Sequence, residues 1–317
     1  MEQAKKKKKI TLPRLLLLVL TATVLLFSAG VTLEQMKIIN IGLPDWKKVY
    51  GFFGIRENVP EAAATIEVFD MGAADCILIT ANETHVLIDA GNPIDGPKLA
   101  QTLRRRGIQS LDLVIATHPH TDHIGGMAEI LTHVPAKCIW MPKPSPEIAP
   151  TSTVYMDLLN LLQKADVMVT TPNPRECWEA GDLKLTVFHC GMDTDNLNNL
   201  SLVVLAEYGD ISFLLTGDAE TEVEAELRSA GLLRPVTVLK IAHHGSKTST
   251  SEDFLNAVTP QFAAISCGSD APPAEEVLTR LKQRNISYQR TDLNGDLTYA
   301  TDGSQLWIYT EKGKDIT

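Results

Sequence analysis

Cysteine is scarce in this chain, and so is positive charge outside its first quarter. The five cysteines (Cys76, Cys138, Cys177, Cys190, Cys267) are scattered and form no C-x-x-C pair, so no two are spaced as a metal-ligand or redox motif. Cys76 and Cys267 lie in apolar, strand-like runs and read as buried small hydrophobes. In an exported protein an odd count leaves at least one thiol free or bonded to another molecule. No cysteine follows the N-terminal apolar core, which argues against a lipid-modified cysteine. Residues 1–63 carry 10 Lys and Arg against 5 Asp and Glu, net +5; residues 64–317 carry 19 against 34, net −15. An acidic body argues against broad electrostatic attraction to nucleic acid and leaves room only for a local patch. Histidine is also sparse, at 8 in 317 residues, which gives weight to any place where histidines gather.

What is present begins with five lysines, 5–9, followed by a charge-free apolar stretch over 15–33. That stretch is long enough to span a bilayer as a helix, and the lysines favour a cytoplasmic N-terminus. The expected organisation is a basic cytoplasmic segment (1–11), a transmembrane signal anchor (12–33), a stalk or linker (34–63), a folded domain (64–312) and a tail (313–317). A cleaved signal peptide is the competing reading, supported by the small residues Ser28-Ala29-Gly30. Both readings export the domain. The first makes it a single-pass membrane protein whose partner is the lipid bilayer; the second makes it secreted. Trp46, Tyr50, Phe52 and Phe53 in the stalk suit either the membrane interface or the domain surface. No protein partner is deducible.

The histidines gather in Thr117-His118-Pro119-His120-Thr121-Asp122-His123, directly after the apolar run 111–116. An apolar strand therefore ends in three imidazoles and a carboxylate, the donors that zinc prefers. The H-x-H-x-D-H spacing serves two ions, with His118 and His120 on one and Asp122 and His123 on the other. The arrangement recurs twice. The run 211–216 delivers Asp218 in Thr216-Gly217-Asp218-Ala219-Glu220, where Asp218 is either a bridge between two ions or a helix N-cap. The run 236–242 delivers His243-His244-Gly245-Ser246-Lys247-Thr248-Ser249, which suits a metal or phosphate site, with Lys247 as a point charge for a substrate anion. Ser249 and Glu252 are spaced as a capping box for a helix over 253–258. Asp89, at the end of the run 85–89, reads as the carboxylate that orients a ligand histidine. His85 and His133 read as ordinary surface or strand residues, and His189 as a strand-end residue.

Short strands are expected over 65–70, 76–80, 85–89, 111–116, 137–141, 167–170, 183–188, 200–207, 211–216, 236–242, 262–267, 287–291, 296–301 and 305–309. Helices are expected near 97–106, 124–132, 153–164, 253–258 and 274–285. The Pro-rich segment 142–150 reads as a surface loop beside the site. Short strands interleaved with helices imply two packed sheets with helices outside, an α/β (α+β) architecture.

The metal loop resembles that of the metallo-β-lactamase superfamily. Phe69-Asp70-Met71-Gly72, Leu87-Ile88-Asp89-Ala90-Gly91, Asn199-Leu200-Ser201-Leu202-Val203, the 216–220 and 243–249 blocks, and Arg290-Thr291-Asp292 with Gly295 narrow this to the C-terminal hydrolase domain of the ComEC competence family. That resemblance spans about 65–310. It implies an αββα sandwich and a di-metal phosphodiesterase that degrades a DNA strand, so the implied substrate is a phosphodiester or nucleic acid. Against that resemblance, one helix is expected here where the competence protein has a polytopic channel. The implied cofactor is one or two divalent ions, zinc first and manganese second, held by His118, His120, Asp122, His123, Asp218 and one or both of His243 and His244. Asp122 and Lys247 are the candidate catalytic groups, Asp122 doubling as proton acceptor. Asp70, Asp89, Asn199, Ser201 and Ser246 are the candidate supporting residues. Alternatives are another ester or lactone substrate, or a catalytically impaired binding protein. Two departures matter: Ala73-Ala74 replaces Gln-Gly before Asp75, and 268–274 lacks the family's Gly-His-Pro.

Overall fold

The computed structural model describes residues 12–36, 38, 43, 62–165, 167–191 and 194–313. The segment 1–11 and the aromatic residues Trp46, Tyr50, Phe52 and Phe53 lie outside them. At the N-terminus α1 (Leu12–Gln35) is a single helix. Its window Leu17–Glu34 is long and apolar enough to cross a membrane, a test that a signal sequence also passes.

The second unit starts at Ala62. Its first sheet holds eight strands in the order β15-β14-β1-β2-β3-β4-β5-β6, and its second holds seven in the order β13-β12-β11-β10-β9-β8-β7. In chain order these are β1 (Ala64–Val68), β2 (Ile77–Ala81), β3 (Thr84–Ile88), β4 (Leu113–Ile115), β5 (Cys138–Trp140), β6 (Met168–Thr170), β7 (Cys177–Ala180), β8 (Leu183–His189), β9 (Val203–Tyr208), β10 (Ile211–Leu215), β11 (Val238–Lys240), β12 (Phe262–Ile265), β13 (Ser287–Arg290), β14 (Leu297–Thr301) and β15 (Leu306–Thr310). The helices that follow α1 are α2 (Gly96–Arg105), α3 (Thr121–Ile124), α4 (Met127–His133), α5 (Thr153–Lys164), α6 (Thr221–Ser229), α7 (Glu252–Val258), α8 (Glu275–Gln283) and α9 (Thr291–Asn294).

Alternation along the strands explains the layering. In β2, Ile77, Ile79 and Ala81 enter the core between the sheets, while Leu78 packs under the helices of the first sheet. In β10, Ile211, Phe213 and Leu215 face the same central core and Leu214 faces the helices of the second sheet. A period of two thus places one side chain in each of two cores. Three apolar layers result, and the architecture is the expected αββα sandwich. Because β3, β4 and β5 run parallel, their C-terminal ends share one edge, as do those of β10 and β11 in the second sheet.

Several local expectations are corrected. The strand expected over 111–116 is only Leu113–Ile115, with Leu111 in an isolated bridge to Ala136. The helix expected over 124–132 is two helices, parted at Gly125-Gly126. A Cβ at Gly126 would lie 2.4 Å from the Ala90 carbonyl, so only glycine lets this segment close on the loop after β3. The cap of α7 is Ser251, whose Oγ accepts from Phe254 N–H. Ser249 is occupied elsewhere, its hydroxyl facing the carbonyls of Ala242 and Ser246. The polar segment before β9 is a 3-10 turn, Leu197–Leu200, and the edge strand β7 was not expected.

Candidate metal centre

Every candidate ligand leaves the C-terminal end of a strand. Asp89 follows β3 with φ of +57°, a strained value for a non-glycine residue that here serves a purpose. Its Oδ1 accepts from Thr117 N–H at 2.8 Å, and its Oδ2 accepts from the Thr117 hydroxyl at 2.7 Å and faces His123 Nδ1 at 2.7 Å. The last pairing puts the His123 proton on Nδ1 and turns Nε2 toward the cluster. Burial works against protonation of His123, but Asp218 and Asp89 outweigh it and hold its pKa well above the ordinary value. Buried His118 goes the other way: desolvation, then the neighbouring His123, push it well down.

Gly217, at φ +51°, brings Asp218 up against the metal loop; a Cβ there would stand 3.0 Å from both Ser201 Oγ and Thr117 Cβ. Asp218 N–H donates to Ser201 Oγ at 3.0 Å, and Glu220 N–H to Asn199 Oδ1 at 3.0 Å. Ser201 and Asn199 therefore hold the backbone of the second tip. Burial raises the Asp218 pKa, yet His123, His118 and His244 outweigh it and hold the carboxylate ionised. His243 and His244 both adopt positive φ, +51° and +52°. That turn sends their side chains to different places. His244 Nδ1 pairs with the Ser266 carbonyl at 3.2 Å, and its Nε2 faces Asp122. His243 Nδ1 instead faces Glu220 Oε1 at 3.2 Å.

Two groups of donor atoms follow. His118 Nε2 and His120 Nδ1 are 3.0 Å apart, with Asp218 Oδ2 at 3.8 Å from His118 and 3.9 Å from His243 Nε2. Across Asp218, His123 Nε2 is 3.3 Å from Asp218 Oδ1 and 3.8 Å from Asp122 Oδ2; His244 Nε2 is 3.3 Å from Asp122 Oδ2 and 3.8 Å from Asp218 Oδ2. Donor atoms of Asp122, His123, Asp218 and His244 all lie within 4.8 Å of one another. Four donors on one ion at about 2.0–2.1 Å stand roughly 3.3 Å apart; two of the separations here are 3.3 Å and two are 3.8 Å. His123 Nε2, His244 Nε2 and Asp218 Oδ1 are moreover buried without a well-formed hydrogen bond among the described residues. Buried polar atoms are normally satisfied, so three orphans converging on one point fit a cation.

The other expected site residues fall outside this cluster. Lys247 is exposed and makes no hydrogen bond or ion pair among the described residues. Asp70 pairs with Lys312 at 3.3 Å, and Ser246 Oγ faces Thr248 Oγ1 at 3.1 Å. Neither side chain touches a candidate ligand. His189 is buried, with Nδ1 on the Ser201 carbonyl at 2.9 Å. The segment 268–274 brings no histidine to the site; Ala274 N–H donates to the Gly245 carbonyl instead. A cavity of about 310 Å³ lies between the Pro-rich loop, at Lys143 and Ile148, and Thr194 with Leu200. Sequence reasoning missed Glu220, which orients His243 and also accepts from Asn196, Asn198 and Thr248. Its signal was present in Gly217-Asp218-Ala219-Glu220, a second acid two residues beyond the first.

The description of the metallo-beta-lactamase superfamily matches residues 70–269. ComE operon protein 3 of Bacillus subtilis is 31% identical over 256 residues, covering 74% of this chain and 32% of that protein. Competence protein ComA of Neisseria gonorrhoeae is 29% identical over 295 residues, covering 91% and 38%. The chain thus spans about a third of the length of these curated relatives. Among solved structures, Igni18, a metallo hydrolase of Ignicoccus hospitalis, superposes with a TM-score of 0.52 at 16% identity, covering 75% of this chain and 100% of that one, a likeness of fold. The resemblance read from the motifs is borne out.

Proposed function

The chain belongs to the metallo-beta-lactamase superfamily, and from that premise we propose that it is a metal-dependent phosphodiesterase acting on nucleic acid, single-stranded DNA first. The observation that carries the reading is the convergence of imidazole and carboxylate atoms from three strand tips on two adjoining points. His118, His120 and Asp218 would hold one ion, with His243 beside them; Asp122, His123, His244 and Asp218 would hold a second. Zinc suits these donors, and manganese is the alternative. When bound, such ions supply Lewis-acid activation of the ester and a nucleophile available near neutral pH.

The chain's own residues do the rest. Asp89 and the Ser266 carbonyl fix the tautomers of His123 and His244, so that both present Nε2. Asp122, a third exposed at its side chain, is the open carboxylate of the cluster: Oδ2 faces His123 and His244, and the other oxygen, Oδ1, takes up the proton that the attacking water gives up. Lys247, exposed three residues beyond His244, meets a flanking phosphate of the substrate. The competence-family resemblance, which ComE operon protein 3 and Competence protein ComA carry, is what implies nucleic acid as the substrate. We further propose that α1 anchors the catalytic unit on the outer face of the cell membrane.

The test is turnover by the purified chain, loaded with zinc or manganese, on an aryl phosphodiester and a single-stranded oligonucleotide. Cleavage that a chelator abolishes is expected. A fully loaded chain that cleaves neither substrate contradicts the phosphodiesterase reading. The net charge of −15 over 64–317 favours a second reading, hydrolysis of a smaller ester or lactone, which the same assay examines with those substrates. The missing histidine in 268–274 favours an impaired binding protein, for which ion uptake without any turnover is the signature.

A further inference from the structure

Lys240 is one of the largest fully buried side chains in the protein, and the chemistry above makes no use of it. Its Nζ donates to Asp75 Oδ2 at 2.8 Å and to the Ile241 carbonyl at 3.1 Å. Both partners are sealed from solvent, their side chains 1% and 3% exposed. A buried lysine loses hydration and rotamer freedom, and a buried ion pair is a weak source of stability by itself. The position of this pair is what gives it meaning.

All three ligand-bearing strand tips are tied to it. Asp75 N–H donates to the carbonyl of Asp122, in the metal loop. The Lys240 carbonyl accepts from Thr216 Oγ1 at 2.6 Å, two residues before Asp218. Lys240 itself ends β11, which runs directly into His243 and His244. The remaining Asp75 oxygen, Oδ1, has no hydrogen-bond partner among the described residues and faces His244 Nδ1 at 3.7 Å. The pair thus touches the backbone or ring of the tips supplying Asp122, Asp218 and His244. No contact of this kind reaches His118 or His120, whose loop is held by the Asp89–Thr117 bonds.

Asp75 also stands near Asp89 and His123, close enough for the three to surround a cation. The ammonium group of Lys240 already supplies the positive charge there, and Asp89 and His123 are spent on each other. Burial pushes the Asp75 pKa up, but Lys240 and His244 outweigh it and keep the carboxylate charged.

We infer that Asp75 and Lys240 form a positioning pair that pins the two sheets together at the second-ion set (Asp122, His123, Asp218, His244), and that the first set, which shares only Asp218 with it, depends on it much less. This rests on the two-ion reading of the centre. The pair touches no reacting atom; it acts through the ligands.

The experiment compares the full chain with Lys240→Met, Asp75→Asn and the double variant. Each is stripped with a chelator, then titrated with zinc by calorimetry and with cobalt(II) by visible absorption. The metal-free forms are also melted. Each single variant is expected to melt lower, because an unpaired charge is left buried. In each, the second ion is expected to weaken by about 10- to 100-fold, the usual effect of losing an outer partner, while the first stays within about threefold. The double variant, with no unpaired charge, should regain most of the melting temperature yet keep the weakened second ion and an altered cobalt spectrum. Recovery of both melting temperature and second-ion affinity in the double variant would reduce the pair to a structural filler and overturn the inference. Equal weakening of both ions, or second-ion affinity unchanged in Lys240→Met, overturns it too. A parent chain that takes up no ion overturns the metal-centre reading, and this inference falls with it.

Discussion

The two halves of the centre are built on opposite plans. The first sheet delivers His118, His120, Asp122 and His123 from one strand tip, and one buried carboxylate, Asp89, holds that loop through a backbone amide, a hydroxyl and an imidazole. The second sheet delivers Asp218, His243 and His244 from two tips, each ligand with its own support: Ser201 for Asp218, Glu220 for His243, the Ser266 carbonyl for His244. The segment beyond the histidines is clamped separately, with Glu224 accepting from the Thr250 and Ser251 amides and Arg280 donating to the Ser249 and Thr250 carbonyls. The lesson is that a compact half concentrates its dependence in one residue, whereas a dispersed half spreads it.

The sharpest way to erase the distinction is to remove the residue both halves use. Asp218→Ala is expected to abolish turnover and to lower affinity for both ions by more than the roughly 10- to 100-fold typical of an outer partner. Metal titration beside activity checks this, and undiminished uptake refutes a shared role. Next in size, the comparison itself is tested by Asp89→Ala against Glu220→Gln. Loss of Asp89 should weaken metal binding by about 10- to 100-fold. Glu220→Gln should weaken it by less than tenfold, since an amide oxygen still accepts from His243 and Thr248. The reverse ranking would overturn the concentrated-versus-dispersed account.

Gly126→Ala probes how tightly the first half is closed. Its Cβ would meet the Ala90 carbonyl and the Gly96 Cα, so a loss of about 1–3 kcal/mol in unfolding free energy is expected, readable by denaturant titration. The smallest effect is on pH. In the metal-free chain, His123 has a raised pKa, so its stabilisation is full below about 6.5 and fades as pH rises through the folded value. His118 has a depressed pKa, so its contribution is present above about 6.5 and fades as pH falls. Together these two groups place a stability maximum near pH 6.5, which metal binding should erase by holding both rings neutral. Melting the stripped chain between pH 5 and 8, with and without zinc, checks the shape.

The two halves also differed in how readily they could be read. His118 to His123 were legible because a local run carries both the strand and its ligands. Asp218, His243 and His244 were legible for the same reason, each following an apolar strand. Which histidine faces which group was not legible, because it depends on the positive φ values of the 243–244 turn. The pairing of Asp75 with Lys240 was invisible: they meet across 165 positions, and a lysine at a strand end ordinarily reads as solvated. The misplaced cap on α7 has a similar origin. Thr248-Ser249-Thr250-Ser251 offers consecutive hydroxyls, and only tertiary contacts to Ala242 and Ser246 remove Ser249 from the choice. Edge strand β7, half exposed along its length, carries too weak an alternation to announce itself.

The central claim is that two cations share Asp218. Anomalous diffraction from zinc-loaded crystals of the chain tests it most directly. The account predicts two peaks, one bounded by His118, His120 and Asp218 and the other by Asp122, His123, Asp218 and His244. Density confined to other residues, or no ordered zinc against Asp218, would contradict it.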